Sequence, residues 1–243
     1  MNNLINRLIA DNKGVGFFRA ENFADNELTL YVYDVIVSDA SFGGVSALEF
    51  NQALASSDAS VVHLRINSPG GEVFAAQSMV TAVKEKKATC VAHIDGLAAS
   101  AASWLALAAD EVVISPGGMI MIHNATGVSC GTAADHRSSA DLLDKIDRQL
   151  VEVYVNSTGK DAETVARWMA SQTWFSAAEA VEYGFASRMA TEVPANTSVA
   201  SWNVAAYKSI SGLRAYEEEH NAPFVDLTEG LRRSLRLIER LDI

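Results

Sequence analysis

An α/β fold follows from three features of the 243-residue sequence. Short apolar runs rich in β-branched residues alternate with segments whose apolar residues recur at helical spacing. Turn clusters, Ser68-Pro69-Gly70-Gly71 and Ser115-Pro116-Gly117-Gly118, punctuate that alternation. Strands and helices in this order imply a sheet with crossover connections.

The elements follow in chain order. Residues 1–27 read as a mixed, weakly ordered lead-in containing Gly14 and Gly16. Leu28 to Val37 is a strand by its β-branched and aromatic content. Ser46 to Ala55 is a helix with Leu48 and Leu54 on its apolar side, and Val61 to Ile66 is a second strand stopped by the first turn cluster. A helix from Glu72 to about Lys86 places Val73, Ala76, Met79, Val80 and Val83 on one face. The unit repeats as strand Thr89 to Ile94, a turn, and helix Ala98 to Ala109. Short strands Glu111 to Ile114 and Met119 to Ile122 follow, the second ended by His123. A long helix covers roughly Ala133 to Asn156, with Leu142, Leu143, Ile146, Leu150 and Val153 as its stripe. Asp161 to Ala170 and Ser176 to Tyr183 are shorter helices, and Gly184 closes the latter from the C′ position.

Three divisions result: the lead-in 1–27, a domain over 28–190, and 191–243 as a linker with a C-terminal helical extension. In the last helix Asp226 and Glu229 suit a capping box, and Leu227, Leu231, Leu235, Ile238 and Leu241 make one apolar face. That face docks on the domain or on a partner.

Composition sets limits. Apolar residues make up 49% and charged residues 20%, ordinary for a chain with one substantial core. A net charge of −11 with no dense basic surface argues against nucleic acid as a partner. The two cysteines are too few for a disulfide framework or a Cys-x-x-Cys metal site. No apolar run approaches membrane-spanning length and the start lacks a signal-peptide core, so no membrane and a cytoplasmic location are expected.

Three segments bear on chemistry. Ser68-Pro69-Gly70-Gly71 before a helix lets the main chain approach a bound group and presents the Gly71 N–H; a plain turn is the other reading. Ser100, with the Ala101 N–H beside it, sits where helix-start amides stabilise an oxyanion, or is merely a small residue at a crowded helix start. His123 ends an apolar strand and is a candidate base for a serine, or a satisfied core residue.

Together these stretches resemble one family. Ile66-Asn67-Ser68-Pro69-Gly70-Gly71-Glu72-Val73, Gly96-Leu97-Ala98-Ala99-Ser100, Met121-Ile122-His123-Asn124 and Phe175 to Gly184 stand in the order and spacing of the ClpP-type serine peptidases. Within that group, Gly96 to Ser103, Ile122-His123-Asn124 and Thr173-Trp174-Phe175 look like the ClpP-like head-maturation (prohead) proteases of tailed phages. The resemblance covers roughly residues 28–190.

It implies a ClpP/crotonase-like superhelix of repeated β-β-α units, with Ser100 as nucleophile and His123 as general base. Gly71 and Ala101 main-chain N–H groups become the oxyanion hole. The strand-like stretch Ala125 to Thr132 and the helix after it would line a groove that takes peptide by strand addition. Homo-oligomeric rings, heptameric or stacked, are implied, as are substrates such as scaffold, capsid or portal proteins within the procapsid. No metal and no cofactor are called for, and with no Walker motif any ATP dependence would belong to a partner.

One departure stands out. The family's acid, just ahead of the Phe-Ser-Ala segment, falls at Thr173, preceded by Ser171 and Gln172. A hydroxyl cannot stabilise an imidazolium as a carboxylate does. A weakened dyad, or a carboxylate from elsewhere such as Asp135 or Asp141, is therefore expected. Rival readings are a housekeeping ClpP subunit fed by an unfoldase, an inactive scaffold-type head protein, and a crotonase-type acyl-CoA enzyme.

Overall fold

The computed structural model describes residues 3–23, 26–191 and 202–209. The proposed helix Asp226 to Leu241 and nearly all of the proposed linker lie outside the described residues.

The chain begins with helix α1 (Asn3–Asp11) and continues into strands β1 (Phe17–Phe23) and β2 (Glu27–Tyr33). The expected weakly ordered lead-in is thus a helix and a hairpin. Ile5 and Leu8, one turn apart on α1, are buried against Val35, Val37 and Tyr207, partners far off in the chain. Such a short helix is marginal alone and gains its stability from that packing. The strand expected over Leu28–Val37 breaks after Tyr33, and β3 (Ile36–Val37) pairs separately with β4 (Val45–Ser46).

Helix α2 (Ala47–Ala55) starts on the Ser46 hydroxyl, which accepts from the Glu49 N–H. Its buried residues are Ala47, Phe50 and Leu54, whereas Leu48 is 63% exposed, so the inward face is rotated from the expected one. After β5 (Val61–Ser68) comes α3 (Val73–Glu85), burying Ala75, Ala76, Met79, Val80 and Val83. Next are β6 (Thr89–Ala99), α4 (Ala101–Ala106), β7 (Glu111–Ile114) and β8 (Met119–Ile122). Helix α5 (Ala133–Thr158) opens with a Thr132–Asp135 capping box and buries Ile146, Leu150 and Tyr154, leaving Leu142 49% exposed. Helix α6 (Ala162–Ala170), strand β9 (Thr173–Ser176), helix α7 (Ala177–Glu182) and strand β10 (Arg188–Met189) complete the domain. Gly184 takes φ +85° after α7, as its C′ position requires. A 3₁₀ turn (Ala205–Ser209) is the last described element.

The main sheet runs β1-β2-β5-β6-β7-β10 and is parallel from β2 onward, with the antiparallel β1 at one edge. Strand β6 organises it. Along one side β6 pairs with β5 throughout; along the other it pairs first with β7 (Val91–Ile94) and then with β8 (Leu97–Ala99). That second pairing explains why Gly96 to Ala99 is strand rather than the expected turn and helix start. Ladder bonds to β5 and β8 outweigh the helical propensity of an alanine-rich stretch.

The partner switch falls at Asp95, which is buried. Its carboxylate accepts from the Tyr33 hydroxyl at 2.5 Å and from Arg65 Nε at 2.9 Å, with a further contact to the other Arg65 nitrogen. Burial pushes the Asp95 carboxyl up, and the guanidinium opposes it. Cys90 is a buried free thiol pushed up to about 12 by its apolar surroundings and by Asp110, hence inert. Among the described residues no helix is long and apolar enough to cross a membrane.

Arg65→Ala leaves the Asp95 charge without its partner and should destabilise the fold by about 3 kcal/mol or more. The loss should shrink as pH falls, because the stranded carboxyl then takes up a proton. Denaturant titration at two pH values checks this; a loss under about 1 kcal/mol contradicts it.

Candidate active site

Ser100 occupies the single residue between β6 and α4, with φ 54° and ψ −124°. A non-glycine residue there carries about 1–3 kcal/mol of strain and persists only where its surroundings enforce it. The Ser100 N–H donates to the Met121 carbonyl of β8 at 2.7 Å. Its carbonyl accepts from Ser103 Oγ at 2.7 Å, and that hydroxyl also bonds Tyr154 Oη at 2.9 Å. Ala98, Ala99, Ala101 and Ala102 are all buried, so the elbow turns in a space that admits nothing larger.

The Ser68–Gly71 turn is laid directly on this elbow. Ser68 Oγ donates to the Asp34 carbonyl at 2.6 Å and accepts from the Gly70 N–H at 3.1 Å. Gly70 has φ +89°, and a Cβ there would lie 2.5 Å from the Ala99 carbonyl oxygen and 3.0 Å from the Ala101 nitrogen. Ile36 fixes the neighbours on either side: its N–H donates to Gly70 O at 2.8 Å and its carbonyl accepts from Glu72 N at 2.9 Å. The Gly71 N–H lies between those two bonds, and a side chain at Gly71 would collide with the Ile36 carbonyl. Glycine is thus required twice, so that the strand carrying the Gly71 amide can touch the start of α4 carrying the Ala101 amide.

His123 follows β8 and is buried, with Nε2 2.7 Å from Ser100 Oγ. Burial alone pulls its imidazole down to about 4. At neutral pH the ring is uncharged, so Nε2 can accept the serine proton while Nδ1 carries the hydrogen.

The remaining candidates fall elsewhere. Thr173 pairs with Ile122 in the antiparallel β8–β9 register, and its hydroxyl donates to the Trp168 carbonyl at 2.8 Å. Asp135 is engaged in the α5 cap, and Asp141 is exposed on the same helix. No carboxylate contributes to the His123 shift. Continuing the β8–β9 register by one pair sets Gln172 opposite His123. Gln172 is buried, takes φ 48°, and its Oε1 has no hydrogen-bond partner. An orphaned buried acceptor is the signal that points to it, and only the fold supplies that signal. The stretch Ala125 to Thr132, expected to be strand-like, forms no strand and is mostly exposed; Asp147 Oδ1 on α5 accepts from the Ala125 N–H at 2.7 Å.

Of the walls, the sequence anticipated the helix after Thr132 but not α1, α3 or Tyr207. A cavity of about 350 Å³ opens beside Ser100 and His123, bounded by Leu143 and Ile146 of α5, Val73 of α3, and Ile5 and Leu8 of α1. Tyr207 closes another side. The Leu4-Ile5…Leu8-Ile9 spacing could have revealed the α1 face, but nothing local distinguishes Tyr207. Among the described residues no three His, Cys, Asp or Glu side chains group to hold a metal.

An α/β chain with a strained serine at a strand–helix elbow, a neutral buried histidine on its hydroxyl and two main-chain amides beside it has the site layout of a serine hydrolase. Within that class, the chain belongs to the Clp protease family, whose model matches residues 37–193. It is similar to the ATP-dependent Clp protease proteolytic subunit 1 of Leifsonia xyli subsp. xyli, with 32% identity over 126 residues, 51% of this chain and 64% of that protein. The proteolytic subunit of Chlorella vulgaris is 31% identical over 139 residues, covering 56% and 69%. Subunit 1 of Protochlamydia amoebophila is 34% identical over 128 residues, covering 51% and 62%. The chain therefore spans about two thirds of these relatives' length. Helix α1, the β1–β2 hairpin and residues 202–209 lie outside the family match.

Gly70→Ala should expel the turn from the elbow and destabilise the chain by about 2 kcal/mol or more, since both φ and space forbid the methyl group. Thermal melts check it. The His123 shift also predicts an acid-side slope. The unfolded imidazole titrates near 6.5 and the folded one near 4, so stability falls as pH drops from 6.5 towards 4. That slope, on the order of 3 kcal/mol in total, should vanish in His123→Gln; an unchanged slope contradicts the assignment.

Proposed function

We propose that this chain is a serine endopeptidase subunit in which Ser100 is the nucleophile and His123 the general base. The 2.7 Å contact between Ser100 Oγ and His123 Nε2 carries this reading. Ser100 Oγ attacks the peptide carbonyl carbon while His123 takes its proton, and the oxyanion is received by the Gly71 and Ala101 N–H groups, each worth several kcal/mol. His123 then gives the proton to the leaving amine. Water, deprotonated by the same imidazole, hydrolyses the acyl-enzyme and restores Ser100.

In this reading Gln172 supplies the acceptor for His123 Nδ1–H on substrate binding: its Oε1 is buried and unpartnered in the resting structure, one register pair beyond Ile122–Thr173. An amide orients the ring without countering the charge that forms on it, so turnover is slower than a carboxylate would permit.

The subunit assembles into a homo-oligomeric ring and acts on peptide segments. The prohead-type resemblance of Gly96 to Ser103 and of Thr173-Trp174-Phe175 favours phage head proteins (scaffold, capsid or portal) as substrates during procapsid maturation. The named relatives favour a second reading, an ATP-dependent proteolytic subunit served by an unfoldase. Co-expression with the head proteins, against affinity capture of an ATPase, separates the two.

Ser100→Ala should abolish both peptide hydrolysis and labelling by a fluorophosphonate; labelling that survives the substitution refutes the nucleophile. In wild type, kcat/KM should rise with pH through an acid limb near 4, because the buried imidazole must be neutral to act. Gln172→Glu should move that limb upward and raise kcat, whereas a limb that stays put excludes Gln172 as the partner of His123.

A further inference from the structure

The side of the site opposite α5 is closed by the chain itself. Tyr207 is 1% exposed and Ala206 is fully buried, although the segment lies beyond the family match. The Tyr207 ring stands edge-on to His123, with centroids 5.4 Å apart and planes at 84°, and Trp174 packs on it at 6.4 Å. Its hydroxyl donates to the Pro69 carbonyl, in the same turn that carries the Gly71 amide.

The segment is anchored as well as packed. Asn203 N donates to Asn12 Oδ1 at 2.7 Å, and Asn12 Nδ2 donates to Asn203 O at 3.1 Å. This pairing imitates one rung of a ladder and ties the segment to the end of α1. Asn12 is itself buried and held by the Leu8 carbonyl at 2.8 Å. Main-chain pairing together with a seated aromatic ring is how a groove holds a peptide. The backbone at Tyr207 is a 3₁₀ turn (Ala205–Ser209), however, and does not offer an extended bond to Ser100.

We infer that the recess between His123, Trp174 and Pro69 is a subsite for an aromatic side chain, and that residues 202–207 are its resident ligand, which an incoming peptide must displace. The inference rests on the peptidase reading and narrows its substrate class to peptides with a tyrosine or phenylalanine beside the scissile region. Tyr207 acts as a competitor at fixed, high effective concentration. Phenol and ring are both used: the recess is walled largely by rings and offers the Pro69 carbonyl and the Ser100 hydroxyl at its end, so an acidic or small side chain fits it poorly.

The test uses full-length chains carrying Ser100→Ala, so that binding is read without hydrolysis. The probe is fluorescein-labelled Trp-Asn-Val-Ala-Ala-Tyr, with the same peptide ending in Ser as control, measured by fluorescence anisotropy. Adding Tyr207→Ala should tighten binding of the Tyr peptide about tenfold or more, equivalent to about 1.4 kcal/mol. The Ser peptide should bind that variant at least about tenfold more weakly than the Tyr peptide. Asn12→Ala, which frees the anchor and keeps Tyr207, should give intermediate affinity and carries the test should Tyr207→Ala fail to fold. Equal binding with and without the Tyr207→Ala or Asn12→Ala substitution, or no preference for Tyr over Ser, overturns the inference. Failure of the peptidase reading looks different: the Tyr207→Ala chain with Ser100 intact would bind the peptide and still not react with a fluorophosphonate.

Discussion

The arrangement of the candidate site depends on the backbone of Ser100 being held at a positive φ. A serine in an ordinary helix start would turn its hydroxyl along the helix surface. Here β6 runs straight to Ala99 and α4 begins at Ala101, so the whole change of direction falls on one residue. The energy that enforces it comes from neighbours: the Met121 carbonyl on one side, the Ser103–Tyr154 hydroxyl pair on another, and Gly70 pressed against the turn. The run of alanines is the steric condition for this, and the two glycines of the preceding turn are its complement.

The sheet explains why these pieces coincide. Strand β6 leaves β7 for β8 near Asp95, and β8 ends at His123. Strand β6, which delivers the serine, is therefore bonded on one side to β8, which delivers the histidine, and on the other to β5, which delivers the glycine turn. Three sites separated in the chain are set by the two ladders of one strand. The Arg65–Asp95–Tyr33 group locks the place where the partners change. Its hydrogen bonds converge on one buried carboxylate at that point.

Electrostatically the site is quiet. His123 is neutral because burial removes the solvent that would support its charge, and part of that burial is provided by the edge of Tyr207. With no carboxylate acting on the imidazole, its basicity follows from how dry the recess is. Access and basicity are thereby coupled: whatever opens the pocket to solvent also alters the medium around the imidazole.

The alternation of strands and helices and the C′ glycine after α7 were legible in the sequence, since each depends on residues a few positions apart. Ser100, His123, Gly71 and Ala101 could be singled out from local patterns too, and the structure brings them together. What local pattern misjudged shares one cause. The extension of β6 to Ala99, the helix at residues 3–11, the exposure of Leu48 and the place of Gln172 are all set by partners distant in the chain. Residue order by itself determined which chemistry this chain can hold, because turn glycines, a helix-start serine and a strand-end histidine are short-range choices. Tertiary structure alone decided that a buried, unpartnered Gln172 follows Thr173 at the end of the β8–β9 register and that Tyr207 packs beside His123, because burial and register arise only when remote segments pack.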